Sequence, residues 1–227
     1  MGMEILLIAL AGLTGLATGA IMNAYTARLL ATAPWHYRAA QIGVAVLFMI
    51  FAARVLWGVG IPSYVAPSGL FLLFVRDVLV STFLVSIFLF DARASVIPDR
   101  LSLPAIAIVL LGNSALGMPV AFMLFGGLLI AAFFAFQTVA SAGKWVGGGD
   151  VRVGFLMGAL LGPWMGIAAL VLSYMLGAAV GLYLLFFRRA KLTDHVPFGT
   201  FMVVATFVMM LWGSHILSWY FHLVPLT

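Results

Sequence analysis

Two aspartates stand where a carboxylate is unusual. Asp91 closes an apolar run in SIFLFDARASVIPDRLSLP, and Asp150 follows three glycines and opens another run in GKWVGGGDVRVGFLMGALLG. A carboxylate at membrane depth costs on the order of 2.5 to 3.5 kcal/mol on insertion scales, so a retained one needs a reason. Two carboxyl groups held close share a proton, and one can activate water while the other protonates a leaving amine. These residues therefore favour peptide hydrolysis by an aspartic mechanism.

A structural role for the two carboxylates is the alternative, and composition alone leaves it open. An Asp in the first turn of a helix commonly stabilises the helix dipole, and Asp91 lies near Arg93 in the chain. The glycines at positions 147, 148 and 149 suit the catalytic hypothesis, because glycine permits rare backbone conformations and close approach of a substrate strand. These three residues, Gly147, Gly148 and Gly149, are candidate site-shaping residues.

The elements that position these residues are predicted to be transmembrane helices. Of 227 residues, 65% are hydrophobic and only 7% are charged, against roughly 25% in soluble domains. The mean hydropathy is +1.23. Apolar runs predict about eight spans, near residues 3–25, 39–58, 69–90, 103–117, 120–139, 151–165, 167–187 and 196–213. We therefore predict an all-α, polytopic membrane helix bundle, and exclude a disordered chain, a disulfide scaffold and a soluble nucleic-acid binder.

The basic residues predict the orientation. With the N-terminus outside, nine of the eleven Lys and Arg residues fall at cytoplasmic loops or helix ends. The exceptions are Arg54 and Arg76, for which snorkelling or a pair with Asp77 is expected. The outer connections, including Gly162-Pro163-Trp164, are short and uncharged. The hairpin between Asp91 and Asp150 then returns both carboxylates to the cytoplasmic face.

Metal and cofactor chemistry is not expected. The chain has no cysteine and no HExxH motif, and its four histidines are predicted near interfaces. We predict no cofactor and no metal. The basic residues form no continuous stripe with interleaved aromatics, so no nucleic-acid partner is predicted either.

Four segments resemble motifs of the prepilin peptidases, the type IV leader peptidase family of GxGD membrane aspartic proteases. Asp91 with the stretch from Ile97 to Pro104 resembles the first catalytic Asp and the IP(N/D)xLTLP motif, and Gly147 to Arg152 resembles the GxGDxK motif. Val196-Pro197-Phe198-Gly199 resembles IPFGP, and Gly19 to Leu29 is similar to an N-terminal GSFLNVVIxRL segment. Their order matches over nearly the whole chain.

The resemblance implies a catalytic pair, Asp91 and Asp150, and the removal of a short basic leader from pilin-like precursors at the cytoplasmic side of the bacterial inner membrane. The substrate's apolar N-terminal helix would stay among the membrane lipids. We expect the surrounding residues to shape the site or contact substrate; besides the three glycines they are Pro98, Arg152, Pro197, Phe198 and Gly199.

Three departures from the family pattern stand out. Arg152 replaces the usual Lys, and Thr200 replaces the Pro of IPFGP. Bifunctional members carry a cytoplasmic insertion with paired CxxC motifs, associated with N-methylation, where this chain has only about ten residues, Arg28 to Arg38. We therefore predict a peptidase without methyltransferase activity.

The domain prediction is a single membrane domain over residues 1–227, with an N-terminal helical pair at 1–60 and a peptidase core at 69–213.

Two rival functions are considered. A small transporter or proton-coupled carrier would use the same aspartates as a relay, but should show repeat symmetry and acids near mid-helix. An inactive homologue that acts in assembly is the other, and the presence of both aspartates argues against it.

Overall fold

The computed structural model describes residues 2–30, 38–187 and 197–223, and in this part of the chain every regular element is helical. The helices are α1 (Gly2–Leu30), α2 (Arg38–Trp57), α3 (Leu70–Ala94), α4 (Asp99–Ala115), α5 (Val120–Ala140), α6 (Gly148–Phe187) and α7 (Phe198–Leu223), with a short 3-10 turn at Pro67–Gly69. The predicted all-α helix bundle is confirmed.

Helix α6 folds back on itself at Gly162. This residue has φ 78° and ψ 174°, outside the helical range, and Pro163 has no N–H to continue the helix. A Cβ placed on Gly166 would lie 3.3 Å from the Cα of Gly158, whereas eight residues of continuous helix span roughly 12 Å. The element therefore consists of two antiparallel halves, 148–161 and 163–187, and the reversal lies at the predicted Gly-Pro-Trp connection.

Six of the helical elements in the described ranges are long and apolar enough to cross a membrane. The chain is thus a multi-pass membrane protein. The predicted number of eight spans is not confirmed, because α4 has only 17 residues and α6 counts as one element despite its reversal. Helix α7 also extends ten residues beyond the expected end at 213, since the apolar character continues through Trp219 to Phe221.

Bare backbone contacts hold α5 against α6. A Cβ on Gly158 would lie 2.1 Å from the carbonyl oxygen of Gly126, a distance that no side chain tolerates. Glycine lets helices approach this closely in a bilayer, where the tight packing itself supplies much of the association energy. The main core lies beside this contact and includes the fully buried Ile130, Phe134 and Leu156.

Helices α1 and α2 pack in the same manner. Cβ atoms on Gly15 and Gly19 would lie 2.7 Å from Ala45 Cα and 2.9 Å from Gln41 Cα. A small separate cluster that includes Val44 and Phe48 forms around this pair.

The division of the chain into an N-terminal helical pair at 1–60 and a peptidase core at 69–213 stays a prediction. The connection at 31–37 and the segment 188–196, which holds Val196 and several of the basic residues used for orientation, lie outside the described residues.

At the opposite end of α3 from Asp91, two arginines share one buried aspartate. Arg54 Nη1 lies 3.1 Å from Asp77 Oδ2, and Arg76 donates to Asp77 Oδ1 through Nε at 3.0 Å. The side chains of Arg54, Arg76 and Asp77 are 7%, 5% and 0% exposed. The expected pairing with Asp77 is confirmed, and it links α2 to α3.

Asn113 connects this ion cluster to the reversal in α6. Its Oδ1 accepts from Arg76 Nη1, and its Nδ2 donates to the carbonyls of Ala159 at 2.9 Å and Leu160 at 3.2 Å. Pro163 cannot donate to the Ala159 carbonyl, so the amide of Asn113 satisfies an acceptor that the reversal leaves open. A polar network thus fixes the end of the bundle far from Asp91 and Asp150.

Candidate active site

Asp91 and Asp150 line one cavity of about 360 Å³. Asp91 lies in the last turn of α3, and Asp150 lies in the first turn of α6. Helices α4 and α5 form the hairpin between them, and the cavity walls come from the connections that precede α4 and α6. The fold therefore brings the two carboxylates to the same end of the bundle.

The first turn of helix α7 binds the Asp91 carboxylate. Asp91 is 4% exposed, and its Oδ2 accepts the backbone N–H of Thr200 at 2.8 Å. A Cβ on Gly199 would lie 2.8 Å from the same oxygen, so only glycine lets the carboxylate come this close to the α7 backbone. Free N–H groups in the first turn of a helix are natural partners for a carboxylate. Asp91 is thereby fixed by a residue 109 positions away.

Asp150 is half-buried and is positioned locally. Its Oδ2 accepts the backbone N–H of Gly147 at 3.1 Å, and its own N–H donates to the Gly147 carbonyl at 3.1 Å. This reciprocal pattern closes the turn that starts α6. The structural alternative noted from sequence, an Asp that caps a helix start, is therefore present in the geometry, and the same carboxylate also faces the shared cavity.

The three glycines before Asp150 have different surroundings. A Cβ on Gly149 would lie 2.8 Å from the Cβ of Ile97, which follows α3. A Cβ on Gly148 would meet nothing within 4 Å, and one on Gly147 would make ordinary contact with Asp150 Oδ2 at 3.8 Å. Only Gly149 is required by close packing, while all three border the cavity.

Arg152 ties the start of α6 to the start of α4. Its guanidinium forms an ion pair with Asp99 and donates to the carbonyl of Ile97 at 3.3 Å. Its Nε is buried without a hydrogen-bond partner among the described groups. Pro98 immediately precedes α4, and its carbonyl accepts from Leu101 and Ser102. Arg152 therefore lines the cavity, whereas Pro98 lies outside its lining and supports the start of α4.

The start of α7 contributes an aromatic side chain. Phe198 lines the cavity and packs against Tyr174 and Phe134, with ring centroids 4.8 and 5.8 Å apart. Pro197 precedes the helix, and its carbonyl accepts the Thr200 hydroxyl at 2.7 Å. The predicted site residues from this segment thus lie beside Asp91, Pro197 as support and Phe198 as lining.

Other lining residues were not predicted as site residues from the sequence, although Ile97 begins one of the family-like motifs. The additional residues come from the two connections and are Ser95, Val96, Ile97, Gly143, Trp145 and Val146. Trp145 is 70% exposed at the rim. An exposed tryptophan beside a glycine run was the available signal, but aromatic residues are so frequent in this chain that it did not stand out.

The donor set around the cavity offers two carboxylates and backbone amides. Within the described ranges, no group of three or more His, Asp or Glu side chains comes together as a metal ligand set. Acid–base chemistry between the carboxyl groups is what this arrangement can perform. The fold and the cavity together define a polytopic membrane helix bundle with paired aspartates at one end.

Comparison with known proteins agrees with that class. Residues 78–182, which include both aspartates, match the model of the type IV leader peptidase family. This part of the chain is similar to the type IV leader peptidase family, and the family resemblance seen in the sequence motifs is confirmed.

The chain is also similar to curated proteins that are named as prepilin leader peptidases. The chain is 28% identical over 152 residues to a prepilin leader peptidase/N-methyltransferase of Aeromonas hydrophila, covering 63% of this chain and 51% of that protein. It is 27% identical over 152 residues to the protein of that name from Aeromonas salmonicida (strain A449), covering 63% of this chain and 50% of the relative. The chain thus spans about half the length of the curated relatives it matches. No solved structure gives a significant match.

Proposed function

We propose that this protein is an aspartic endopeptidase that removes the short basic leader from type IV prepilin or pseudopilin-like precursors. The observation that carries the proposal is that Asp91 and Asp150, distant in sequence, border one cavity within the family-matched region. A cavity of about 360 Å³ lies within the range of roughly 300 to 1,000 Å³ common to ligand sites.

The chemistry requires the two carboxyls in opposite protonation states. The ionised group takes a proton from water, and the water oxygen attacks the scissile carbonyl. The protonated group then donates its proton to the leaving amine as the C–N bond breaks. Either aspartate can serve as the base in this scheme, with the other as the acid.

The carrier hypothesis has less support. Asp77 lies fourteen residues before Asp91 on α3, which is roughly 21 Å along the helix. It is bound by two arginines, and the polar groups between it and Asp91 on α3 are hydroxyls that donate to their own helix. Along α3, a proton relay from Asp77 to Asp91 therefore lacks an intermediate titratable group.

We also propose the inner-membrane location, with the N-terminus periplasmic and the cavity at the cytoplasmic face. The support is the distribution of basic residues, since Arg93, Arg100 and Lys144 lie near the cavity end. The substrate's apolar N-terminal helix would remain in the lipid beside the bundle.

N-methylation of the product is proposed to be absent. Helix α1 ends at Leu30 and α2 begins at Arg38, so seven residues separate them, and the chain has no cysteine. The paired CxxC motifs associated with methylation in bifunctional members have no counterpart in this connection.

Co-expression with a prepilin-like precursor tests the function. Asp91→Asn and Asp150→Asn should each abolish leader removal, because a neutral amide cannot serve as base or acid, while membrane insertion persists. The matched control is Glu4→Gln, which removes an acidic group in the first turn of α1, away from the cavity. This variant should cleave the precursor at the wild-type rate. Processing at the wild-type rate by either Asn variant would disprove the dyad.

The mass of the mature N-terminus tests the absence of methylation. With this enzyme as the only peptidase present, that mass should match the unmethylated peptide.

A further inference from the structure

A second cavity, of about 400 Å³, lies at the end of the bundle opposite to Asp91 and Asp150. Arg54 and Arg76 form one part of its wall. Arg54 is three residues from the end of α2, and Arg76 is in the second turn of α3. Both residues therefore lie near helix ends, where the ends of membrane-spanning helices are expected to meet lipid headgroups.

The charges at this cavity do not balance. Arg54 and Arg76 are 93% and 95% buried and carry two formal positive charges, and Asp77 supplies the one carboxylate within salt-bridge distance among the described residues. Burying a net charge is unfavourable unless a counter-charge accompanies it. The cluster is thus one negative charge short of neutrality.

Arg54 also has unused hydrogen-bonding capacity. Its side chain donates to the carbonyls of Val59 and Gly60 and to Asp77. A guanidinium has five N–H groups, so two have no acceptor in the described part of the chain. A bound oxyanion could accept them, since phosphate and carboxylate fit the arginine fork.

The rest of the cavity wall is mainly apolar, and its polar side chains are Ser63, Tyr64 and Ser214. Its buried part is contributed mainly by methionine and leucine, including Leu160, Met209 and Met210. Methionine side chains are flexible and adapt to irregular apolar ligands. Trp164, a largely exposed aromatic residue of the kind enriched at membrane interfaces, stands at the edge.

From this combination we propose that the cavity binds an anionic amphiphile, a single negatively charged headgroup with an acyl chain. The headgroup contacts Arg54 and Arg76, and the chain lies against the methionines and leucines. A phospholipid phosphodiester and a fatty-acid carboxylate share this chemistry. The site is independent of the proposed peptidase activity, and the bound anion would stabilise the link between α2 and the rest of the bundle.

Native mass spectrometry of the full chain tests the proposal. The protein is purified in neutral detergent and exposed separately to phosphatidylglycerol, phosphatidylcholine with the same acyl chains, oleate, and inorganic phosphate. We expect one tightly retained anionic lipid, favoured at least about tenfold over phosphatidylcholine, because hydrogen bonds to charged groups are stronger than neutral ones. Inorganic phosphate should not compete, since it has no chain.

Two variants separate the headgroup from the chain contribution. Arg54→Met leaves the Arg76–Asp77 pair neutral and should lose the preference for the anionic lipid. Ser214→Phe fills the cavity from its wall without removing a charge and should lose retention of any lipid there. Arg100→Met removes an exposed charge at the other end and should bind like wild type.

The outcomes decide between the alternatives. If the protein retains oleate but not phosphatidylglycerol, the proposed site is supported and its ligand is a fatty-acid carboxylate rather than a phospholipid. Equal retention of phosphatidylcholine and phosphatidylglycerol, or an unchanged preference in Arg54→Met, would overturn the proposal. Should Arg54→Met fail to fold, unaltered lipid retention by the folded Ser214→Phe variant would overturn it on its own.

Discussion

Thr200 donates its backbone N–H to Asp91 Oδ2 at 2.8 Å, across 109 residues of chain. The position matters because the prepilin peptidase motif that this segment resembles has a proline there, and proline has no N–H to donate. In this protein the first turn of α7 therefore makes a direct contact with a candidate catalytic carboxylate. The contact gives the substitution at position 200 a structural consequence.

Replacing Thr200 with proline should weaken the hold on Asp91 without unfolding α7, because proline is tolerated in the first turn of a helix. We expect leader removal to slow by about ten- to a hundredfold, because one hydrogen bond to a charged group contributes about 1.5 to 3 kcal/mol. Thr200→Ala retains the N–H and is the matched control. The rate of precursor cleavage in detergent measures both, and equal rates for the two variants would show that the N–H is dispensable.

Gly149 and Gly148 offer a paired test of packing at the start of α6. A Cβ on Gly149 would overlap Ile97, whereas one on Gly148 meets open space. Gly149→Ala should therefore destabilise the protein by about 1 to 3 kcal/mol, the range for overpacking. Gly148→Ala should change stability by less than about 1 kcal/mol. Thermal unfolding in one detergent compares them; the reverse order would contradict the packing described here.

Asp77 and Asp99 provide the same substitution in two environments. Asp77→Asn would leave two buried guanidinium groups without their carboxylate, and breaking a buried pair costs about 3 to 5 kcal/mol. Asp99 is 63% exposed, so Asp99→Asn should cost no more than about 1 kcal/mol despite its ion pair with Arg152. Unfolding midpoints should fall sharply for the first variant alone. Similar losses in both would show that burial does not set the cost.

The absence of cysteine allows a direct test of the proposed orientation. Ser68→Cys lies in the exposed turn before α3, and Lys144→Cys lies in the exposed connection before α6. In spheroplasts with an intact inner membrane, a membrane-impermeant maleimide should label position 68, and position 144 only after lysis. The opposite pattern would place the cavity at the periplasmic face and refute cytoplasmic cleavage. Wild-type protein, which has no thiol, is the background control.

Much of the fold could be predicted because apolar runs of membrane length have few structural alternatives. The hairpin of α4 and α5 between Asp91 and Asp150 follows from two apolar runs, although the 17-residue α4 is shorter than the membrane-length helices, and the hairpin returns the chain to the same end of the bundle. Gly162 and Pro163 likewise signal a reversal, since one tolerates a positive φ and the other cannot continue a helix. The pairing of Asp77 with its arginines was expected because buried charges require partners.

Local patterns could not supply the contacts between distant elements. Nothing near position 91 in the sequence indicates that the backbone of Gly199 and Thr200 contacts the Asp91 carboxylate. Likewise, nothing near position 149 indicates that Gly149 packs against Ile97. No pattern near Asn113 predicts its structural role, yet its amide satisfies the carbonyls that α6 exposes at its turn.

The amino-acid sequence by itself determined that this is a membrane helix bundle, which residues could carry acid–base chemistry, and that two carboxylates return to one end. Tertiary structure alone decided which glycine is sterically required, which backbone N–H holds Asp91, and where two arginines border a second cavity. The physical reason is that hydropathy and turn chemistry are local properties of the chain. Hydrogen bonds and close packing between helices depend on how those helices rotate and approach one another.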